Sequence, residues 1–221
     1  AVPAVASSPP AALSMAEVPA RAGTDSKAQQ AGARGLPAKP EGLDDEGWAA
    51  LQQAIRKAAV QQARLAGVNG AAQDRFGMSV AISGDTALVG ASLDDVGANA
   101  NQGSAYVFTR SGSTWTLQAQ LLADDGAAGD GFGRSVALSG ESAVVGATGD
   151  DVGAIANQGS AYVFTCSGTT WTQQAKLVAG DGAVDDFFGN SVALSGDTAL
   201  VGAFSDNVGC NLEQGSAYVF T

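Results

Sequence analysis

The stretch "FGMSVAISGDTALVGA" (residues 76–91) recurs as "FGRSVALSGESAVVGA" (132–147) and as "FGNSVALSGDTALVGA" (188–203). Each copy starts 56 residues after the last, and a second signature keeps the same step: "NQGSAYVFT", "NQGSAYVFT" and "EQGSAYVFT" hold Gln102, Gln158 and Gln214 in phase. Repetition at such a period decides the architecture, because a unit of this size buries its apolar faces only against its neighbours.

Each unit contains four short runs, which in the first copy are "GMSVAIS", "TALVGA", "SAYVFT" and "TWTLQAQLL". They are rich in β-branched and aromatic residues and are divided by "SGD", an Asp/Asn/Gly loop and "SGS", which predicts a four-stranded antiparallel meander. Side chains alternate across a strand, so Tyr106 and Phe108 point one way and Ala105 and Val107 the other. Neither face is polar. Such a sheet needs a sheet on each side, which favours radial stacking over a sandwich with polar outer faces. The expected fold is all-β: a partial or short β-propeller of three four-stranded antiparallel blades within residues 68–221. The blades start near 76, 132 and 188, and the third is without its last strand.

Upstream the composition changes. Residues 1–43 are rich in Ala, Pro, Gly and Ser without hydrophobic period, which predicts a disordered leader. Over 44–67, strong helix formers carry Trp48, Leu51 and Ile55 at helical spacing, with Asp44 or Asp45 as cap and Gly67 as stop. The end of that segment has a second reading. "VQQARLAGVNGAAQDRFG" (60–77) aligns, one period on, with "TLQAQLLADDGAAGDGFG" (116–133), so 60–66 is either helix or a strand. As a strand it ends a vestigial blade or closes the third blade, within one copy or between two.

The chain has 22 acids against 11 bases, and the repeats carry the excess: residues 74–221 hold 16 acids and 4 bases. That balance makes nucleic acid and anionic membrane poor partners and cations plausible ones. No run of about 18 apolar residues is present to span a bilayer. Histidine is absent, which removes the commonest general base and every His-containing zinc site. Cys166 and Cys210 fall at opposite ends of their units, so no disulfide is expected between them. The opening "AVPAVASSPP" shows no legible signal peptide.

The "FG...GD...VGA" series with its shared "QGSAYVFT" resembles the FG-GAP repeat, the blade unit of integrin α-subunit propellers and of many secreted or surface bacterial proteins. The likeness runs from about 76 to 221. It implies an extracellular or cell-surface setting, a binding or scaffold role, and calcium held by an Asp-rich DxDxDG loop between the first two strands. Here that turn is only "SGDTA" or "SGESA", and one carboxylate makes no calcium cage. Asp85, Glu141 and Asp197 are therefore expected to be turn residues. Trp115 and Trp171, at matching repeat positions, are expected in blade packing.

The other acids lie in the longer connections, which in a meander emerge together at the end opposite the short hairpins. They are Asp94, Asp95, Asp150, Asp151 and Asp206 between strands two and three, and Asp124, Asp125, Asp130, Asp181, Asp185 and Asp186 between units. Two readings stand for them. They are ordinary turn residues, or they hold calcium or a ligand between loops, with pairs such as Asp94 and Asp95 meeting Asp124 and Asp130. The function expected is a non-enzymatic module that recognises a protein or glycan ligand, or a cation, through one acidic face. The alternatives are a propeller-type hydrolase using channel carboxylates, and a structural repeat domain that self-associates through open blade edges.

Overall fold

The computed structural model of the chain describes residues 44–50 and 61–221, so the leader reading for 1–43 and the continuation of the helix through 51–60 lie outside the described residues. The chain divides into two units, 1–60 and 61–221. In the first, residues 45–50 are helical. Asp44 caps them: its Oδ1 accepts from the Gly47 N–H at 2.7 Å and its carbonyl from the Trp48 N–H at 3.0 Å. A side-chain oxygen at this position satisfies one of the N–H groups that a helix start leaves free.

The second unit is built from eleven strands: β1 (Ser79–Ser83), β2 (Thr86–Ala91), β3 (Ser104–Ser111), β4 (Thr114–Leu121), β5 (Phe132–Ser139), β6 (Ser142–Ala147), β7 (Ser160–Ser167), β8 (Thr170–Leu177), β9 (Phe188–Ser195), β10 (Thr198–Ala203) and β11 (Ser216–Phe220). They form three antiparallel meanders, β1 to β4, β5 to β8 and β9 to β11, in sequence order within each sheet. The first two strands of each sheet are joined by a two-residue turn that opens on a glycine with positive φ, +57° at Gly84. That backbone matches the twist of a hairpin and excludes most side chains. Asp85, Glu141 and Asp197 follow these glycines. Asp85 holds its turn to the next hairpin through a 2.6 Å ion pair with Arg110.

The alternation predicted for the third strand decides the packing. Ala105 and Val107 join Leu88 and Leu121 on the face turned to the second sheet, where they meet Phe132, Val136, Val145 and Tyr162. Tyr106 and Phe108 lie on the opposite face with Val89, Ala91 and Phe76. The second sheet repeats the plan against the third, with Val144 and Ala161 packed on Phe188 and Val201. Each unit's opening Phe stacks on its own third strand: Phe132 lies 5.5 Å from Tyr162 and 6.0 Å from Phe164, centroid to centroid. Trp171 sits in the same seam and donates Nε1–H to Gln118 of the preceding blade at 2.9 Å. The fold is a stack of three blades of a partial β-propeller. Cys166 and Cys210 are both free thiols.

Residues 61–66 are neither helix nor strand. Leu65 packs on the free face of the first blade, beside Phe76 and Trp115. The choice of helix or strand posed by the sequence resolves to neither: 61–66 belongs to none of the sheets, because no sheet edge pairs with it to supply hydrogen bonds.

The seam between blades explains why "FG" and "VGA" occur together. Gly133 and Arg134 form a bulge at the start of β5, where the pairing with β6 shifts between Phe132 and Ser135. Gly133, at φ +89°, thrusts its carbonyl into the preceding blade, where it accepts from Ser79 Oγ at 2.7 Å. A Cβ on Gly90 would stand 2.0 Å from that oxygen. Gly146 stands in the same relation to Gly189, with Ser135 as the donor at 2.7 Å. In the third blade the equivalent Gly202 faces only the Ser191 hydroxyl. Gly146→Ala is therefore expected to cost about 1–3 kcal/mol through enforced blade separation, and Gly202→Ala clearly less because a hydroxyl rotates away. Urea midpoints of the two variants check this; an equal loss would contradict the seam.

Candidate functional site at the loop end

The two kinds of long connection meet at one end of the stack. In each unit the loop between the second and third strands closes on itself through paired backbone hydrogen bonds, Val96 with Asn99, Val152 with Ile155 and Val208 with Asn211. The connection to the next blade lies on that loop: the N–H groups of Gly129 and Phe132 donate to the carbonyls of Ala100 and Gln102 at 2.9 and 2.8 Å.

Most of the acids named from the sequence brace these loops. Asp130 and Asp186 are buried, and each accepts from the backbone N–H three residues earlier, Ala127 at 2.7 Å and Ala183 at 2.6 Å. Asp74 does the same for Ala71. Asp95 and Asp151 accept from the N–H of Asn101 and Asn157, both at 2.8 Å, which holds those residues in the left-handed conformation. Asp94, Asp150 and Asp206 are buried under the third strands and accept from the hydroxyls of Tyr106, Tyr162 and Tyr218 at 2.9, 3.0 and 2.9 Å. Ser104 and Ser160 donate to the first two of them as well.

The carboxylates come together in a different pairing from the one the sequence suggested. Asp150 is linked to Asp125, not to an acid of the following connection: Lys176 on β8 places its ammonium 2.7 Å from both, and Tyr162 lies within hydrogen-bond distance of both. Asp206 shares Tyr218 with Asp181, and Asp94 lines a cavity of about 170 Å³ with Asp74 and Asp95. Asp125 and Asp181 are thus delivered to the blade that their connection enters. Asp124 and Asp185 stand at the exposed rim; the Asp124 N–H donates to Gln173, and Asp185 accepts from Asn157 at 2.8 Å. Among the described residues no group of three or more His, Cys, Asp or Glu side chains is placed to hold a metal ion.

These groups shift one another's protonation. Burial opposes the charge on Lys176, but its hydrogen bonds to Asp125 and Asp150 outweigh that and leave it above the ordinary lysine value. Burial likewise raises Asp125, but hydrogen bonds from Lys176 and Tyr162 leave it below the usual carboxylate range. Burial pushes Asp130 up, helped by the charge on Asp150. The phenol of Tyr162 is raised by burial and then by the flanking carboxylates.

A second feature escaped the sequence reading. A cavity of about 350 Å³ opens at the loop end, lined by Arg75, Ser92, Arg134, Phe187, Asn190 and Phe204 among others. Phe187 and Phe204 are stacked at 5.5 Å with their planes 14° apart. Ser92 is buried, and its hydroxyl oxygen has no hydrogen-bond partner. Only four bases belong to residues 74–221. Arg110 and Lys176 are in ion pairs; Arg75 and Arg134, with no ion-pair partner among the described residues, both line this cavity. A signal was present in the sequence. The cavity is lined by residues at positions where the units differ, such as Arg75, Gly131 and Phe187, or Ser92, Thr148 and Phe204, in repeats that are otherwise almost the same.

Two substitutions test the bracing. Gln102 and Gln214 accept through Oε1 from Asn99 and Asn211 at 2.8 and 2.7 Å, but the second unit has Ile155 at that place and Gln158 Oε1 is buried without a partner. Ile155→Asn is expected to stabilise the chain by about 1 kcal/mol, measured by its urea midpoint. Lys176→Met is expected to cost about 1–3 kcal/mol near neutral pH, since a charged donor is lost and two acceptors remain. Asp125 is held below its ordinary value, so its contribution is present above about pH 4 and is lost as pH falls through its folded value. Lys176 is held above its own, so its contribution persists to about pH 10 and is lost as pH rises further. The gap between variant and parent should close at both limits, which thermal melts across pH would show.

No curated protein matches the chain. The sequence profile described as FG-GAP repeat matches residues 59–108, 115–164 and 171–220, well over half of the chain. FG-GAP repeats are typical of propeller-type extracellular and adhesion modules, and the family is generally non-enzymatic. Among the described residues no helix is long and apolar enough to cross a membrane. Three matched repeats, each spanning a seam by taking in the first three strands of one blade and the segment that precedes them, lead to one conclusion: the chain belongs to the FG-GAP repeat family.

Proposed function

We propose that the chain is a non-enzymatic binding module of an extracellular or surface protein, which takes a protein or glycan ligand at its loop end. The observation that carries this reading is the division of labour between positions. The phenylalanine, glycine and serine residues that hold blades together at the seam are the same in all three units, whereas most of those around the 350 Å³ cavity differ from unit to unit. A rigid stack that displays dissimilar side chains at one mouth is the arrangement of a recognition surface. The mouth offers two guanidinium groups, an unsatisfied hydroxyl and a stacked aromatic pair, which suits a ligand with an anionic group next to an apolar one. Catalysis is disfavoured for a chain without histidine whose buried carboxylates are committed to backbone, serine and tyrosine donors.

Immobilised chain probed with glycan arrays and with extracellular-matrix proteins tests the reading. Binding is expected to drop at least tenfold in Arg134→Ala and in Phe204→Ala while their melting midpoints stay near the parent's. Unchanged binding in both variants, or no binding to any probe, would reject it. Calcium forms a second arm: the exposed acids Asp95, Asp124, Asp151 and Asp185 each keep an oxygen outside the bracing for it, and binding to the native state raises the midpoint by mass action. A midpoint that stays put at millimolar calcium removes the cation from the proposal.

A further inference from the structure

At the mouth of the stack, two units hold a backbone conformation that their side chains do not favour. In the turn before the first strand of each sheet, the second unit has Gly131 at φ +66°. The same repeat position carries Arg75 at φ +56° in the first unit and Phe187 at φ +52° in the third. Left-handed backbone suits glycine and burdens residues with a Cβ, Arg and Phe among them. Two residues earlier the pattern recurs, with Gly129 at +91° against Gln73 at +77° and Asp185 at +63°. The second unit shows that the turn folds with glycine at both places, so the fold does not require the other side chains. Arg75 and Phe187 both line the 350 Å³ cavity, as does Arg134. Backbone strain of this kind collects where a side chain serves a ligand.

The rest of the wall selects the ligand. Ser92, whose buried Oγ has no partner, lines the same cavity. Thr148, Asn157 and Asn190 add hydroxyl and amide groups, which both donate and accept. Phe187, stacked on Phe204, is the apolar part. A carboxylate takes guanidinium groups in charged, directed hydrogen bonds. A sugar ring satisfies its hydroxyls on amides and lays its C–H face on an aromatic ring. Charge outside the cavity narrows the choice further. Residues 74–221 carry 16 acids against 4 bases, and Asp185 accepts from Asn157 at the rim. A polyanion is repelled by such surroundings, whereas a single acid group reaches two cations.

We infer that the cavity takes one acidic sugar at the end of a glycan, its carboxylate held by Arg75 and Arg134 and its ring packed on Phe187. The inference rests on the binding role proposed above and narrows the ligand from protein or glycan to a single carboxylate-bearing sugar residue. The strain at positions 75 and 187 then has a reason. The turn before the first strand points at the cavity, so a side chain placed there reaches the ligand, and glycine would leave the wall bare.

Isothermal titration of the 221-residue chain tests this with two acidic probes, sialyllactose and a disaccharide ending in glucuronic acid, which distinguish the two sources of the carboxylate. Lactose, heparin and hexaglutamate are the controls. One of the acidic sugars is expected to bind about tenfold or more tighter than every control, and more weakly as salt rises. Arg75→Gly should lose about tenfold or more in affinity while its urea midpoint rises, because glycine relieves the left-handed backbone. A merely structural Arg75 would not separate the two readouts in this way. Arg134→Gln should lose affinity as well. Equal affinity for lactose, tighter binding of heparin or hexaglutamate, or parental affinity in Arg75→Gly would overturn the inference while leaving the chain a binding module. Failure to bind either acidic sugar would overturn it too, and the broader role would then be decided by the array and matrix probes with Arg134→Ala and Phe204→Ala.

Discussion

The stack depends on one backbone approach: the carbonyl of the glycine in each "FG" pressed against the glycine of the preceding "VGA". Gly133 on Gly90 and Gly189 on Gly146 leave no room for a Cβ, and the serine hydroxyls that donate to those carbonyls fix the spacing. Because the contact lies beside the inner strands, it sets how closely consecutive blades stand. The apolar seams beyond it then close around Phe132 and Phe188, which are fully buried. Burial of the aromatic residues supplies most of the favourable free energy. The glycine contact decides where that burial occurs.

At the loop end, negative charge is tolerated because much of it is structural. A carboxylate withdrawn from water is costly unless donors surround it. Asp130 and Asp186 receive a backbone N–H, and Asp94, Asp150 and Asp206 receive a tyrosine hydroxyl. Where two carboxylates converge in the second blade, Lys176 neutralises them. This joinery stiffens loops that otherwise have little apolar content. It frees the positions around the larger cavity to vary without weakening the fold, and this separation of frame from display is what the proposed binding role rests on.

How far the site was legible in the sequence differs from residue to residue. That the acids gather at one end followed from meander topology alone, as Asp94, Asp130 and Asp150 show. Which carboxylates meet did not follow. Asp150 finds Asp125 of the preceding connection because that connection enters the blade holding Asp150, a matter of how successive sheets are offset. The pair of cationic residues at the cavity was equally hidden. Arg75 and Arg134 belong to successive units, and nothing in a linear pattern shows that the turn before one inner strand faces the start of the next.

The sequence by itself determined the strands, their meander order, the number of blades and the need for a neighbour on each apolar face. These depend on local alternation and on repetition, which every copy states again. Only the tertiary structure decided the fate of 61–66, whose repeat phase is that of a strand but which lies unpaired because hydrogen bonding requires an edge beside it. It decided also which acids are braces, since burial and donors come from neighbouring loops. The mouth of the stack likewise exists only once consecutive blades are set side by side, because its wall is assembled from residues of all three.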